Sequence, residues 1–135
     1  HTKDTGLLTE YVRSALARQI VKDYIGVDNT LSAITVDPEI ENIIRDSIHE
    51  DPIEGRVLGL DPDTHSMIAK ALVDAAVRSR NLGYQPVYLV SPTIRSVTYA
   101  LLEREIPQPA VLSYNEIIST IKVNVVGSAL LAGKA

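Results

Sequence analysis

The hydrophobic and polar residues of this chain follow one layout three times. A run of apolar or β-branched residues leads to Asp or Ser, then to Pro, and then to apolar residues at helical spacing. Asp and Ser are favoured helix N-caps, and Pro is favoured in the first helical turn. The pattern therefore predicts an α/β domain built from repeated right-handed strand–helix units.

Residues 86–105, with the sequence PVYLVSPTIRSVTYALLERE, contain the clearest of these units. The continuous apolar run Val87–Val90 is typical of a strand that is covered on both faces. The three predicted cap residues are Asp37, Asp61 and Ser91.

Outside these units, residues 121–126 alternate between apolar and polar side chains, which predicts a strand at a sheet edge. The fold class is a small, mainly parallel sheet of four to five strands, flanked by helices. The predicted helices are residues 7–25, 38–49, Pro62–Asn81 and one after Ser91, and the predicted strands are residues 31–36, 56–60, Val87–Val90, Ala110–Ser113 and 121–126.

The first predicted helix, residues 7–25, has an apolar face wider than a surface helix needs. Leu7, Val21 and Ile25 fall outside its main stripe. Either these residues cover the ends of a docked helix, or the helix contacts a second surface as well. The stripe itself consists of Leu8, Tyr11, Val12, Ala15, Leu16 and Ile20.

Composition narrows the function classes. The 135 residues suffice for one domain, and its core must be aliphatic because the 4% of aromatic residues are all tyrosine. A net charge of −4 argues against a nucleic-acid partner, since that affinity comes mostly from Lys and Arg. The lack of cysteine excludes disulfides, thiolate metal sites and cysteine catalysis. No stretch approaches the roughly 20 apolar residues of a membrane span.

The three helix starts are candidate anion sites. However, they lack the glycines of a phosphate-binding loop, and the carboxylates of Asp37 and Asp61 would repel phosphate. Capping is the favoured interpretation. A phospho-accepting receiver domain also has aspartates at strand ends, but its site needs several carboxylates and a lysine at a strand end. The available lysine, Lys122, lies inside its predicted strand, which argues against this interpretation.

The histidines offer little chemistry. His49 lies near a predicted helix end, and His65 lies four residues after Asp61, where local capping is more common than metal binding. The loop Ser113-Tyr114-Asn115-Glu116 is polar, as loops after buried strands usually are. We therefore predict no catalytic, cofactor-binding or metal-binding residues, and we favour a docking or assembly module over an enzyme.

Six motifs occur in an order that resembles the C-terminal cytoplasmic region of the FlhA-type export-gate family of flagellar and virulence type III secretion. They are LTEYVRSALARQ, ITVDPEIE, LGLDPDTHSMIAKAL, GYQPVYLVSPTIR, LLEREIP and VLSYNEI. The last two resemble the flagellar branch more closely. Residues 1–26 resemble the end of the family's helical subdomain, and residues 27–135 resemble its α/β C-terminal subdomain.

The resemblance implies a non-enzymatic part of an export gate that lies on the cytoplasmic side of the bacterial inner membrane. It implies a homo-oligomeric ring, and partners that are export chaperone–substrate complexes and other export-apparatus proteins. It implies membrane contact only through an N-terminal domain that this chain lacks, and no cofactor. The alternative is a small stand-alone α/β enzyme or ligand-binding domain, which the absence of upstream membrane spans in the gene would favour.

Overall fold

The computed structural model describes residues 5–132, with side chains from Leu8 onward. The helices are α1 (Thr5–Ala15), α2 (Ala17–Val21), α3 (Pro38–Asp46), α4 (Pro62–Asn81) and α5 (Arg95–Glu103). The strands are β1 (Thr30–Val36), β2 (Ile48–Asp51), β3 (Gly55–Leu58), β4 (Val87–Val90), β5 (Ala110–Ser113) and β6 (Lys122–Ala129).

The main sheet has four strands in the order β5-β4-β1-β6, and all its pairings are parallel. This confirms the predicted α/β class. The last strand lies at a sheet edge, as predicted, but it runs to Ala129 with an irregularity opposite Ala33 and Ile34. The residues after Val126 therefore continue the sheet.

The second predicted strand–helix unit is wrong in one respect, because its strand does not enter the main sheet. Helix α3 ends at Asp46, where the Ser47 hydroxyl donates to the carbonyl of Ile43 at 2.8 Å. The following residues form β2, which the sequence assigned to the end of a helix and to a loop. Strands β2 and β3 pair antiparallel as a separate hairpin.

Two apolar clusters lie on opposite faces of the sheet. On one face, Ile34, Tyr88 and Val111 pack against α3, α4 and α5. On the other face, Leu31, Leu89 and other short aliphatic side chains pack with α2 and the segment around Ile121. The core is aliphatic, as the composition predicts, with one exception: the side chain of Tyr88 is fully buried in it.

Two of the three predicted caps occupy cap positions. Asp37 precedes α3 and Asp61 precedes α4, each followed by Pro, although neither side chain makes the capping hydrogen bond. The Ser91 prediction is wrong, because α5 begins only at Arg95 and its N-cap position is Ile94. The Ser91 hydroxyl instead pairs with that of Thr93 at 2.9 Å.

Candidate docking surface on the first helix

The predicted helix over residues 7–25 is two helices that meet at Leu16. Leu16 has φ −105° and ψ 21°, which separates α1 from α2. After α2, two 3₁₀ turns, Lys22–Tyr24 and Val27–Asn29, lead to β1. The side chain of Val21, which the sequence placed off the main stripe, is fully buried in the sheet cluster.

The apolar stripe of α1 faces solvent. Four of its large side chains are exposed: Leu8 by 50%, Tyr11 by 74%, Val12 by 46% and Leu16 by 46%. Ala15 is exposed as well, and only Ile20, beyond the break, is half-buried against the core. The interpretation that the stripe docks on the chain's own α/β core is therefore wrong for α1. The side chain of Leu7 lies outside the described residues.

The face of α1 that does contact the α/β unit is charged. The buried carboxylate of Glu10 accepts a hydrogen bond from Arg95 Nε at 2.9 Å, and Arg95 lies at the start of α5. Both side chains are almost fully removed from water, with 8% and 9% of their surfaces exposed. A buried charge needs such a partner, because its desolvation costs several kcal/mol when it is unpaired.

A second ion pair lies one helical turn further along α1. Arg13 Nη2 is 3.0 Å from Glu116 Oε2, and the Glu116 side chain is fully buried. The other oxygen of Glu116 accepts the Ser113 amide at 2.7 Å and the Ser113 hydroxyl at 3.1 Å. This carboxylate therefore joins α1 to the end of β5.

The two arginines also share one backbone acceptor. Arg95 Nη1 donates to the carbonyl oxygen of Val111 at 3.3 Å, and Arg13 Nη2 donates to the same oxygen at 3.5 Å. Val111 is in β5, at the edge of the sheet, where unpaired backbone groups invite pairing with another strand. The charged contacts of α1 therefore also cover this edge. We name the four side chains Glu10, Arg13, Arg95 and Glu116 the ionic latch.

The polar loop Ser113-Tyr114-Asn115-Glu116 is a structural cap. Ser113 and Glu116 form a capping box around the 3₁₀ turn Tyr114–Glu116, and the Ser113 hydroxyl also contacts the Asn115 side chain. Burial raises the pKa of the Tyr114 phenol, and the negative charge of Glu41 raises it further. The loop's hydroxyl and carboxylate are thus engaged with each other and with α1.

The remaining candidate residues lie apart. His65 meets Asp61 through the helical hydrogen bond from its amide to the Asp61 carbonyl, at 2.9 Å. His49 lies on the hairpin, and Lys122 begins β6 and is exposed. Among residues 5–132, no three His, Cys, Asp or Glu side chains are grouped closely enough to hold a metal ion.

A groove of about 820 Å³ separates the β2–β3 hairpin from α5. Its floor includes Leu58 and Leu101, and its rim carries both signs of charge, with Arg56 and Glu103 among them. The mixed rim gives it no preference for an anion or a cation.

Comparison with known proteins identifies the family. The model of the FHIPEP family matches residues 1–122. This chain belongs to the FHIPEP family. The flagellar biosynthesis protein FlhA of Bacillus subtilis is 33% identical over 93% of this chain. The hypersensitivity response secretion protein HrpI of Pseudomonas syringae pv. syringae is 36% identical over 94% of it. The resemblance inferred from the sequence motifs is confirmed.

Solved structures of similar proteins share the fold of this FHIPEP-family chain. The Chlamydia pneumoniae CdsV protein superimposes with a TM-score of 0.82 at 36% identity, and covers 96% of this chain. The nonameric EPEC SctV-C assembly superimposes with a TM-score of 0.81 at 30% identity, over 94% of it. This chain spans 18% of the length of FlhA and HrpI, and 36% and 37% of those two solved chains.

Within the described part of this FHIPEP-family chain, no helix is long and apolar enough to cross a membrane. Sequence reasoning missed the ionic latch entirely. The available signal was weak: Glu10 and Arg13 interrupt an otherwise apolar helix at a spacing that puts both on one side, opposite the stripe. Nothing local indicated their partners, which lie 85 and 103 residues away.

Proposed function

We propose that this chain is the C-terminal part of the cytoplasmic region of a type III protein export gate, where it acts as a docking and assembly module and not as an enzyme. The observation that carries the proposal is the exposed stripe of α1, presented by a helix whose opposite face is held in place by the ionic latch. The four charged side chains of the ionic latch are engaged in these structural contacts.

The oligomeric state and partners are part of this proposal. Two solved relatives are nonameric, the EPEC SctV-C assembly and the cytosolic domain of EscV, which supports a homo-oligomeric ring for the intact protein. The Chlamydia pneumoniae CdsV protein has been solved in complex with CdsO, which supports docking of other export-apparatus proteins. Export chaperone–substrate complexes are the further partners that we propose.

We propose a flagellar role in particular, on the strength of the VLSYNEI and LLEREIP motifs. Overall identity does not separate the branches, because a flagellar biosynthesis protein and a hypersensitivity response secretion protein match at 33% and 36%. Loss of swimming motility on deletion of the gene, with other secretion unaffected, is the expected result. Normal flagella in the deletion strain would contradict the flagellar assignment.

The proposed domain division comes from the sequence resemblance, and the exposed stripe of α1 supports it for that helix. Residues 1–26 are proposed to complete a helical subdomain, and residues 27–135 to form the α/β subdomain. Burial of one large aliphatic side chain is worth about 1.5–3 kcal/mol, so a stripe with three such residues and Tyr11 is costly to leave in water. The solved relatives are more than twice as long as this chain, and we propose that their additional length includes helices that cover the stripe.

The test uses the intact protein and substitutions in the stripe. Val12→Gln and Leu16→Gln are expected to abolish ring assembly and substrate secretion. Val77→Gln on α4 is the matched control, because Val77 is exposed by the same 46% as Val12 and Leu16. Rings are counted by electron microscopy, and secretion is measured in a complemented deletion strain. If the stripe variants assemble and secrete like the control, the proposed role of the stripe is wrong.

A further inference from the structure

The two N-terminal helices are attached to the α/β unit by different kinds of contact. Helix α2 is attached by apolar packing, in which Val21 and Ile20 contact the cluster on the sheet. Helix α1 is attached through the ionic latch, and its backbone also lies against β3. A buried ion pair loses most of its stabilisation once its partners separate and water enters. The position of α1 therefore depends on whether the latch is closed.

The chain also has a place where α1 can turn relative to α2. Leu16 interrupts the helix with a non-helical ψ of 21°, and its side chain is half exposed. Leu16 itself packs into neither core cluster, so a change in its backbone angles does not move its own side chain out of the core. Hinges are typically such element-terminal residues, which absorb the rotation.

The latch bonds to backbone groups at the edge of β5, and one of its bonds there comes from α1. On the outer side of β5, the carbonyl of Val111 accepts from both arginines, and the amide of Ser113 donates to Glu116. Departure of α1 removes Arg13 from this carbonyl and from the Glu116 carboxylate. Arg95 and Glu116 do not belong to α1, so the Val111 carbonyl keeps one donor and the Ser113 amide keeps its acceptor. Opening of α1 thus removes one of the side chains that cover this edge.

We propose that α1 is a hinged arm that pivots at Leu16 and is closed by the Glu10–Arg95 and Arg13–Glu116 pairs, so that its opening reorients the apolar stripe and withdraws Arg13 from the edge of β5. The two pairs open together, because their α1 members lie one turn apart on the same rigid helix. The arm thus has two discrete positions, as a conformational switch requires.

Hydrogen exchange on the chain tests the latch. The variant Glu10→Gln/Arg13→Gln removes the charge of the α1 member of each pair, with an isosteric change at Glu10 and a shorter polar side chain at Arg13. The matched control is Glu105→Gln/Arg18→Gln, which removes the same two charges from exposed positions. The latch variant is expected to exchange the amides of α1 about tenfold faster than the control, with α2 and β1 unchanged. Equal exchange of α1 in the two variants overturns the proposal.

Distance measurements test the hinge. The chain has no cysteine, so spin labels can be placed at chosen exposed residues. One label pair joins Tyr11 on α1 to Leu82 after α4, and the reference pair joins Arg18 on α2 to Leu82. The latch variant is expected to add a second distance for the first pair only. A second distance for both pairs, or for neither, overturns the hinge at Leu16. If the double variant does not fold, Arg13→Gln alone is used.

Discussion

Glu10 and Arg95 are 85 residues apart in the chain, and their side chains meet at 2.9 Å in a site that is almost closed to water. The contact places a carboxylate of the first helix against the first residue of α5. It explains how a helix with an outward-facing apolar stripe is held against the α/β unit. The same contact directs Arg95 onto the edge of β5.

The first prediction concerns the loss of this carboxylate. Glu10→Ala leaves the Arg95 guanidinium buried without its partner, which typically costs about 3–5 kcal/mol. Undocking of α1 would let water reach Arg95, so we expect a cost near the lower figure. Denaturant unfolding of the 135-residue chain gives the change in the free energy of unfolding.

A double variant in which apolar residues replace both partners is the comparison for Glu10→Ala. Glu10→Leu/Arg95→Met removes both charges, and we expect it to recover most of the lost stability because no buried charge is left unpaired. A double variant that is no more stable than Glu10→Ala would show that the ion pair itself is not what holds α1.

The second prediction concerns Tyr88, whose buried hydroxyl donates to the carbonyl of Leu72 at 2.6 Å. Tyr88→Phe removes this bond between β4 and α4, and we expect a loss of about 1 kcal/mol in the free energy of unfolding. Tyr11→Phe is the control, since its side chain is exposed and its hydroxyl makes no comparable buried bond.

Alkaline titration gives the third prediction. Burial raises the pKa of the Tyr88 phenol strongly, and the nearby Arg80 opposes this only in part. Because the folded-state pKa lies above the unfolded value of about 10, the contribution of the phenol to stability is complete below that pH. It is lost as the pH rises toward the folded-state value. Of the six tyrosines, one should ionise last by ultraviolet absorbance, and Tyr88→Phe should remove that step.

The fourth prediction concerns the contact between Gly59 and His49. A Cβ atom on Gly59 would lie 2.6 Å from His49 Nε2, so Gly59→Ala forces the imidazole to move. We expect a cost of about 1 kcal/mol, which His49→Ala in the same chain should relieve. Gly127→Ala is the control, because no atom lies within 4 Å of the added methyl group. Equal stability of the two alanine variants would contradict the prediction.

The fifth prediction concerns the turn of the hairpin. Asp51 Oδ1 accepts the amides of Ile53 and Glu54, both at 2.8 Å. These two bonds lower the pKa of the Asp51 carboxyl. Its contribution is therefore present above the unfolded pKa of about 3.9, and is lost as the pH falls through the lower folded-state value. The amide resonances of Ile53 and Glu54 should follow this single titration in NMR spectra, and Asp51→Ala should abolish it.

Residues close together in the chain decided most of the α/β fold. The run Val87–Val90, the strand Ala110–Ser113 and the helix Pro62–Asn81 were predicted with the bounds that the structure shows. Each was decided by a local rule: a continuous apolar run for a strand covered on both faces, and a proline and a glycine at the two ends of a helix. The six sequence motifs and their order likewise sufficed to identify the family.

The strand at residues 55–58 shows where local rules stop. Its apolar residues indicate a strand, but they do not state which strand it pairs with. The structure pairs it with Ile48–Asp51, a segment of mixed polarity that the sequence assigned to a helix end. The pairing depends on the end of α3 at Asp46. Directly after it, the carbonyl of Ser47 accepts a hydrogen bond from the backbone amide of Gly59 at 2.8 Å, which joins the outer ends of the two strands.

The first helix shows the same limit of local sequence rules more clearly. The sequence by itself determined that α1 has an apolar stripe, because helical periodicity is a local property. Only the tertiary structure decided that this stripe faces outward. That outcome depends on Arg95 and Glu116, which fold into place from distant parts of the chain and offer buried partners to the opposite, charged face of the helix.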